Sequence, residues 1–253
     1  MSQLRLPLLI LLLSLTIITS SASAAKVLKM ATSHWSPYVD KKLPKSGLAM
    51  DIMTSVFQKA GYKLDISYEK WSRTLEGAQI GIYDAVATAW YSDKRAKSFA
   101  YTDAYLNNEL KFLVRSDSTM KFTSYNDLQD RLIGVVKDYA YGGDFMKARN
   151  FMRLQANQNF QNIDLVFKKQ IDAAIADERV FIYKINSVLP NSKSQFKILP
   201  IPVSINSLHV AVSKANPQYK EIVAAFNKAL ITMKDDGSYL KILKSHESNE
   251  LKW

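Results

Sequence analysis

An arginine that follows a buried strand is the most informative charged residue in this sequence. Ala85–Trp90 is apolar and short enough to form a buried strand, and Ser92 is a good N-cap for the turn that begins at Asp93. Arg95 therefore stands just past a strand end. Small ligands of open α/β sheets collect outside the carboxyl ends of the strands, where an arginine can hold a carboxylate through two parallel hydrogen bonds. We predict a ligand site here, with a solvated surface arginine as the alternative.

The sequence around this arginine resembles a known family. The most recognisable motifs are Asp84-Ala85, SDKRA at residues 92–96 and FAYTDAY at residues 99–105. Further matching segments follow in order at residues 47–52, 133–135, 171–173 and 233–239. The chain is similar to the family 3 extracellular solute-binding proteins, the periplasmic receptors of polar amino acid ABC importers. The resemblance implies an α/β, two-lobed Venus-flytrap fold with two crossing hinge segments. It also implies a receptor that captures a small polar or charged solute, an amino acid or related compound, between its lobes and delivers it to an ABC permease in the inner membrane.

The resemblance further implies which side chains surround the small-molecule ligand. In such receptors an aromatic residue from the first loop lies over the ligand, and Trp35 occupies the matching position, with packing inside the lobe as the alternative. Receptors for α-amino acids keep a carboxylate for the ligand ammonium at the position of Asp177, with a solvated helix cap as the alternative. Trp71 follows another predicted strand as a wall residue, and Arg73 is a reserve partner for a carboxylate. The predicted binding residues are Trp35, Trp71, Thr88, Trp90, Arg95, Tyr139, Tyr141 and Asp177.

One segment departs from the family pattern. The family often has a glycine and then a small hydroxyl residue where this chain has Asp138, Tyr139 and Ala140. In the family, backbone amides at this place receive the ligand carboxylate near a helix N-terminus. The aromatic residues here and at Trp90 point away from the commonest polar amino acids, and the sequence leaves the identity of the ligand open.

Two other functions occur on similar scaffolds. In cyclohexadienyl dehydratase the closed cleft became an active site, which requires a positioned acid or base. His34 is the histidine that we expect at the cleft, and a lone histidine is more often a loop or packing residue. No Ser-His-Asp order, metal-ligand cluster or phosphate loop stands out, so we predict no enzyme activity, no catalytic residue, no metal and no cofactor. The remaining alternative is a periplasmic sensor input that reports to a separate signalling protein.

Composition excludes several other classes of protein. Without cysteine the chain has no disulfide, zinc–thiolate site, thiol nucleophile or lipid-anchor cysteine. Its formal net charge of +11 is spread along the chain rather than clustered with aromatic residues, which argues against nucleic-acid binding. Residues 1–24 are predicted to be an export signal with cleavage after Ala24, because a short apolar core precedes an Ala-Ser-Ala site. We therefore predict a soluble monomer in the periplasm.

The elements that position the site divide into two α/β lobes. Predicted crossing strands at residues 110–115 and 208–212 connect them, so lobe I comprises residues 25–110 and 206–253 and lobe II comprises residues 111–205. Two crossings make a hinge whose few residues can absorb a closing rotation. The other predicted strands span residues 27–30, 64–68, 85–90, 132–136 and 197–199, and the predicted helices span residues 47–60, 71–80, 122–130, 142–155, 178–189, 217–233 and 239–244.

Overall fold

The computed structural model describes residues 26–250, with side-chain surroundings as far as His246. The predicted export signal, residues 1–24, lies outside the described residues. Within them the strands are β1 (Lys26–Thr32), β2 (Tyr62–Tyr68), β3 (Ala85–Trp90), β4 (Phe99–Tyr101), β5 (Leu106–Arg115), β6 (Leu132–Val136), β7 (Met152–Ala156), β8 (Ala173–Asp177), β9 (Phe196–Ile198) and β10 (Ser204–Ser213). The α-helices are α1 (Leu48–Lys59), α2 (Trp71–Gln79), α3 (Asp93–Ala96), α4 (Gly143–Lys147), α5 (Asn159–Phe167), α6 (Glu178–Val188), α7 (Tyr219–Asp235) and α8 (Ser238–Glu250).

A mixed sheet with two parallel sets of strands runs through the molecule. Along its main path the order is β2-β1-β3-β10-β5-β8-β6-β7, with β4 beside β10 and β9 beside β5. β1 is parallel to β2 and β3, while β6 is parallel to β7 and β8. Parallel strands need crossover connections, and α1, α2 and α5 supply them. The predicted α/β fold with two lobes is confirmed.

Two adjacent antiparallel strands join the halves of the sheet. Residues 106–110 of β5 pair with residues 204–208 of β10, and residues 110–113 of β5 then pair with β8. The second half of β10 pairs with β3. The predicted crossings at residues 110–115 and 208–212 are therefore parts of longer strands. The lobe boundaries given above stay a prediction, and the names lobe I and lobe II keep that meaning below.

Two predicted helices are wrong. Instead of a helix over residues 142–155 the chain forms the five-residue α4 and then β7. β7 pairs with β6 along its whole length, and the guanidinium of Arg153 lies 4.9 Å from the ring centre of Phe145. Strand pairing has thus overridden a helix-like spacing of apolar residues. Residues 122–130 contain a 3₁₀ turn, Tyr125–Leu128, rather than the predicted helix. The other predicted elements are present with displaced ends.

The core of lobe I is built on α1. Leu48, Ile52 and Val56, spaced four residues apart, are buried as their spacing predicts. α7 and α8 pack against the same helix, and on the sheet side all six residues of β3 are buried. The strand end that precedes Arg95 is therefore held by the core on both faces.

Candidate functional site

Most of the predicted binding residues surround a cavity where the two lobes meet. The space inside it, including the part that is open to solvent, has a volume of about 320 Å³. Six predicted residues line it: Trp35, Trp71, Thr88, Trp90, Arg95 and Tyr139. Ser33, Ala140 and Leu208 complete the lining and were not predicted. Ser33 and Ala140 stand within two residues of predicted ones, whereas Leu208 has the sequence character of an ordinary core residue. Tyr141 and Asp177 lie outside this lining.

The loop that carries Trp35 is fixed against the start of α1. The N–H group of Leu48 donates to the carbonyl of Pro37 at 3.3 Å, so the loop satisfies one of the free donors at the helix N-terminus. Gly47, the residue before the helix, has φ of 97°. A Cβ atom at this position would lie 2.5 Å from the Pro37 carbonyl oxygen. The loop therefore requires glycine here, both for its left-handed backbone and for this close approach.

Arg95 reaches the cavity from the short helix α3. Its N–H group donates to Oγ of Ser92 at 3.3 Å, which confirms the predicted N-cap. Its Nη1 donates to the carbonyl of Trp90 at 3.0 Å, and its Nη2 donates to the carbonyl of Asp138 at 2.6 Å. The second bond crosses from lobe I to lobe II. Trp71 donates to the same carbonyl at 3.3 Å, so the two lobes are already in contact at this point.

The charge of Arg95 has no carboxylate partner. Among residues 26–246, no carboxylate oxygen lies within 4 Å of its guanidinium. Burial lowers the pKa of Arg95, while Tyr101 and Asp138 act in the opposite direction. A guanidinium stays protonated in proteins, so the cavity carries a half-buried positive charge. The guanidinium carbon also lies 5.1 Å from the ring centre of Trp71.

Aromatic rings form most of the remaining wall. Trp35 and Trp90 meet edge to face with their ring centres 5.7 Å apart. Tyr139 of lobe II meets Trp90 at 5.4 Å and Trp71 at 6.1 Å, also at steep angles. Burial raises the pKa of Tyr139, so its phenol is neutral at physiological pH. Apolar walls with a few polar groups are typical of small-molecule sites.

Asp177 is occupied by protein groups. Its Oδ1 accepts hydrogen bonds from the hydroxyl of Tyr38 at 2.8 Å and from the N–H groups of Arg179 and Val180. Its Oδ2 accepts one from Nδ2 of Asn108 at 3.1 Å. The backbone bonds make Asp177 the N-cap of α6, the alternative considered for this residue, although it is buried rather than solvated. Burial raises the pKa of Asp177 to about 6, even though the hydrogen bonds favour the ionised form.

Tyr141 lies behind the wall of the cavity. Its hydroxyl accepts a hydrogen bond from the N–H group of Val136 at 2.6 Å. Its ring centre lies 5.9 Å from that of Tyr139 and 6.1 Å from that of Trp90. Tyr141 thus supports two wall residues from the protein side.

A wider cleft with several basic side chains adjoins the cavity. Its lining includes Lys70, Arg73, Lys137 and Lys184. Burial lowers the pKa of Lys184, and Asp40 opposes that effect. Arg73, the predicted reserve partner for a carboxylate, belongs to this outer cleft and not to the inner cavity.

His34 also lines the outer cleft. It lies next to the hydroxyl of Ser36, but the two are not arranged as a catalytic base and its nucleophile. The hydroxyl of Ser36 donates to Oδ2 of Asp40 at 2.7 Å and lies 3.0 Å from Nε2 of His34. The hydroxyl of Ser36 therefore donates its hydrogen bond to the buried carboxylate of Asp40 and not to the imidazole of His34. Ser36 itself is only 1% exposed. Within the part of the chain that the structure describes, no three or more His, Cys, Asp or Glu residues are grouped to hold a metal ion. No helix in that part is long and apolar enough to cross a membrane.

Comparisons with known proteins agree with this architecture. The model of the bacterial extracellular solute-binding proteins, family 3, matches residues 28–248. The substrate-binding protein of an amino acid ABC transporter is 23% identical, with a TM-score of 0.70 over 87% of this chain and 98% of that chain. An ancestral amino acid-binding protein, described as a precursor of cyclohexadienyl dehydratase, is 21% identical, with a TM-score of 0.68 over 87% of this chain and 94% of that chain. A histidine kinase sensor domain with similarity to periplasmic binding proteins is 16% identical, with a TM-score of 0.74 over 87% of this chain and 95% of that chain. Among curated proteins no significant match is found.

Proposed function

The chain belongs to family 3 of the bacterial extracellular solute-binding proteins, and we propose that it is a periplasmic receptor that captures a small polar or charged solute, an amino acid or related compound, between its two lobes. In this proposal the receptor delivers the solute to an ABC permease in the inner membrane and performs no chemistry on it. The export signal predicted for residues 1–24 supports a periplasmic location.

A cavity with walls from both lobes is the observation that carries this proposal. Trp35, Trp71 and Arg95 of lobe I face Tyr139 of lobe II around it. Only an arrangement with the lobes together lets one ligand contact both sets of residues, so binding favours that arrangement. The paired strands β5 and β10 provide the two connections about which the lobes rotate.

A thermal-shift screen of amino acids, organic acids, amines and small peptides tests the capture of a solute. A ligand at about 100 times its Kd stabilises the folded state by about 2.7 kcal/mol, which is readily measured. Small-angle scattering with each hit should show compaction. If no compound changes the melting temperature or the scattering, the receptor proposal is contradicted.

Arg95→Ala tests whether the guanidinium in the cavity holds the solute. For an anionic ligand we expect the binding free energy to weaken by roughly 2 to 5 kcal/mol, because the ligand charge keeps its desolvation cost. Arg149→Ala is the matched control, since it removes an exposed guanidinium that donates to the carbonyl of Met146 in lobe II. Calorimetry compares the two variants with the hit from the screen. Equal affinities would remove Arg95 from the site.

The histidine kinase sensor domain among the structural neighbours supports a sensor input as a second candidate. The two functions differ in the partner that reads the bound state. In cells that lack this protein, loss of uptake of the identified solute supports the importer role. Intact uptake with a lost transcriptional response to the solute supports the sensor role. Mass spectrometry of the solute after incubation separates both from the enzyme alternative, because a receptor returns its ligand unchanged.

A further inference from the structure

Protein groups already satisfy the carboxylate of Asp177. Asp177 accepts four hydrogen bonds: Tyr38, Arg179 and Val180 donate to Oδ1, and Asn108 donates to Oδ2. Asp177 is 3% exposed and lines neither the inner cavity nor the outer cleft. A ligand ammonium could reach Asp177 only if the side chains that cover it moved, because the carboxylate is buried and lies outside both spaces.

Trp90 separates the cavity from this carboxylate. Its Nε1 donates to Oδ1 of Asn108 at 2.8 Å, and Nδ2 of Asn108 donates to Oδ2 of Asp177 at 3.1 Å. The donors of this chain all point toward Asp177, as an acceptor-only group requires. Trp90 lines the cavity, whereas Asn108 and Asp177 do not. The indole is therefore the group that a ligand meets on this side.

Arg95 differs from Asp177, because it lines the cavity and, among residues 26–246, has no carboxylate oxygen within 4 Å of its guanidinium. Two of its five N–H donors serve the carbonyls of Trp90 and Asp138 and a third faces the hydroxyl of Tyr101, which leaves two donors for a ligand. The exposed side chain of Asp138 belongs to the outer cleft rather than to the cavity. A half-buried cation beside apolar walls is stabilised by a hydrogen-bonded anion.

The rest of the lining contains aromatic rings, small or apolar residues and the hydroxyl groups of Ser33, Thr88 and Tyr139, but no acidic side chain. Trp35, Trp71, Trp90 and Tyr139 offer flat faces and edges, which suit a planar apolar body. The hydroxyls of Ser33 and Thr88 are short polar groups that can donate to a second ligand oxygen. An ammonium group would find the guanidinium of Arg95 here and no carboxylate.

We infer that the cavity selects small carboxylates that have a planar, apolar body and no ammonium group. This inference rests on the receptor function proposed above and narrows the class of its ligand. Arg95 holds the carboxylate, the rings enclose the body, and Trp90 prevents Asp177 from recognising an amine.

Four probes with the same ring test this selectivity on the full mature protein: benzoate, its neutral isostere benzamide, benzylamine and phenylalanine. We expect benzoate to bind roughly 30-fold or more tightly than each of the others, because they lack the anion or carry an uncompensated ammonium. In Arg95→Gln the ratio of benzoate to benzamide affinity should fall toward one, while Arg149→Gln should retain it. The ratio compares two ligands on one protein, so a change in stability cancels.

The outcomes separate this inference from the receptor function. Tighter binding of phenylalanine or benzylamine than of benzoate overturns it, and so does equal binding of benzoate and benzamide. Failure of all four probes to bind also overturns it. In each of these cases a hit in the wider screen leaves the receptor function standing. Only the absence of any hit in that screen contradicts the receptor function itself.

Discussion

Removal of one hydroxyl group tests whether Asp177 holds the two lobes together. Tyr38 is completely buried, and its hydroxyl donates to Oδ1 of Asp177 at 2.8 Å. Tyr38 belongs to lobe I and Asp177 to lobe II, so this bond exists only while the lobes are in contact. Tyr38→Phe keeps the ring and its packing but removes the donor.

The expected change in the ratio of closed to open molecules follows from the type of hydrogen bond that Tyr38→Phe removes. A hydrogen bond to a charged partner contributes about 1.5 to 3 kcal/mol, and Asp177 keeps its other three donors in the variant. The bond is absent when the lobes are apart, so the loss falls on the closed arrangement alone. The ratio of closed to open molecules should therefore fall by roughly 10- to 100-fold.

Scattering and ligand affinity measure this shift. We expect Tyr38→Phe to give a larger radius of gyration without ligand, a weaker affinity, or both, depending on the starting ratio of closed to open molecules. Tyr91→Phe is the matched control, because the hydroxyl of Tyr91 donates to Oδ1 of Asp93 at 3.1 Å within lobe I and at the surface. If Tyr38→Phe matches Tyr91→Phe in both measurements, Asp177 is only a helix cap.

Two further predictions concern the free energy of unfolding. Burial raises the pKa of Asp177 from 3.8 to about 6, so the folded protein binds this proton more tightly than the unfolded chain. The contribution of Asp177 to the free energy of unfolding is greatest below pH 4, and it falls by about 3 kcal/mol as the pH rises through 6. Urea unfolding between pH 4 and 7 should show the stability of the natural protein falling by that amount relative to Asp177→Asn, and a constant difference would contradict the argument. Gly47→Ala should lose at least about 3 kcal/mol, because its Cβ meets the Pro37 carbonyl at 2.5 Å, whereas Gly61→Ala, with φ of 84° and nothing within 4 Å, should lose only about 1 to 2 kcal/mol. Equal losses would show that backbone strain alone matters at both positions.

The end of β3 and the turn before Arg95 could be predicted closely, because the residues that define them are neighbours in the sequence. β3 spans the predicted residues, and Ser92 caps the turn before Arg95 as its side chain suggests. The helix predicted over residues 142–155 failed for the converse reason. β7 exists because it pairs with β6, a partner that lies some 20 residues away along the chain, and its own residues carry no clear alternation.

The hydrogen-bond partners of Asp177 show why the position of this carboxylate could be predicted from the sequence, whereas the groups around it could not. The resemblance placed a carboxylate at Asp177, and in the structure this residue is the last of the buried strand β8. Antiparallel pairing then sets Leu110 of β5 opposite Asp177. Asn108, two residues earlier, points to the same face of β5 and so reaches the carboxylate. This register depends on the whole sheet, and no local pattern near Asn108 reveals it.

Trp90 is hydrogen-bonded to Arg95 through its backbone carbonyl and to Asn108, a partner of Asp177, through its indole. An indole has one donor and no acceptor, so Trp90 can join the hydrogen-bonded chain to Asp177 only at its donor end, through the amide oxygen of Asn108. That direction fixes the orientation of the amide and commits its nitrogen to the carboxylate. The carboxylate of Asp177 is consequently hydrogen-bonded inside the protein and lies outside the cavity, while the guanidinium of Arg95 lines the cavity with no carboxylate within 4 Å. The ligand preference inferred above is thus a consequence of hydrogen-bond polarity: a site with its anion satisfied internally and its cation facing the cavity attracts anions and rejects amines.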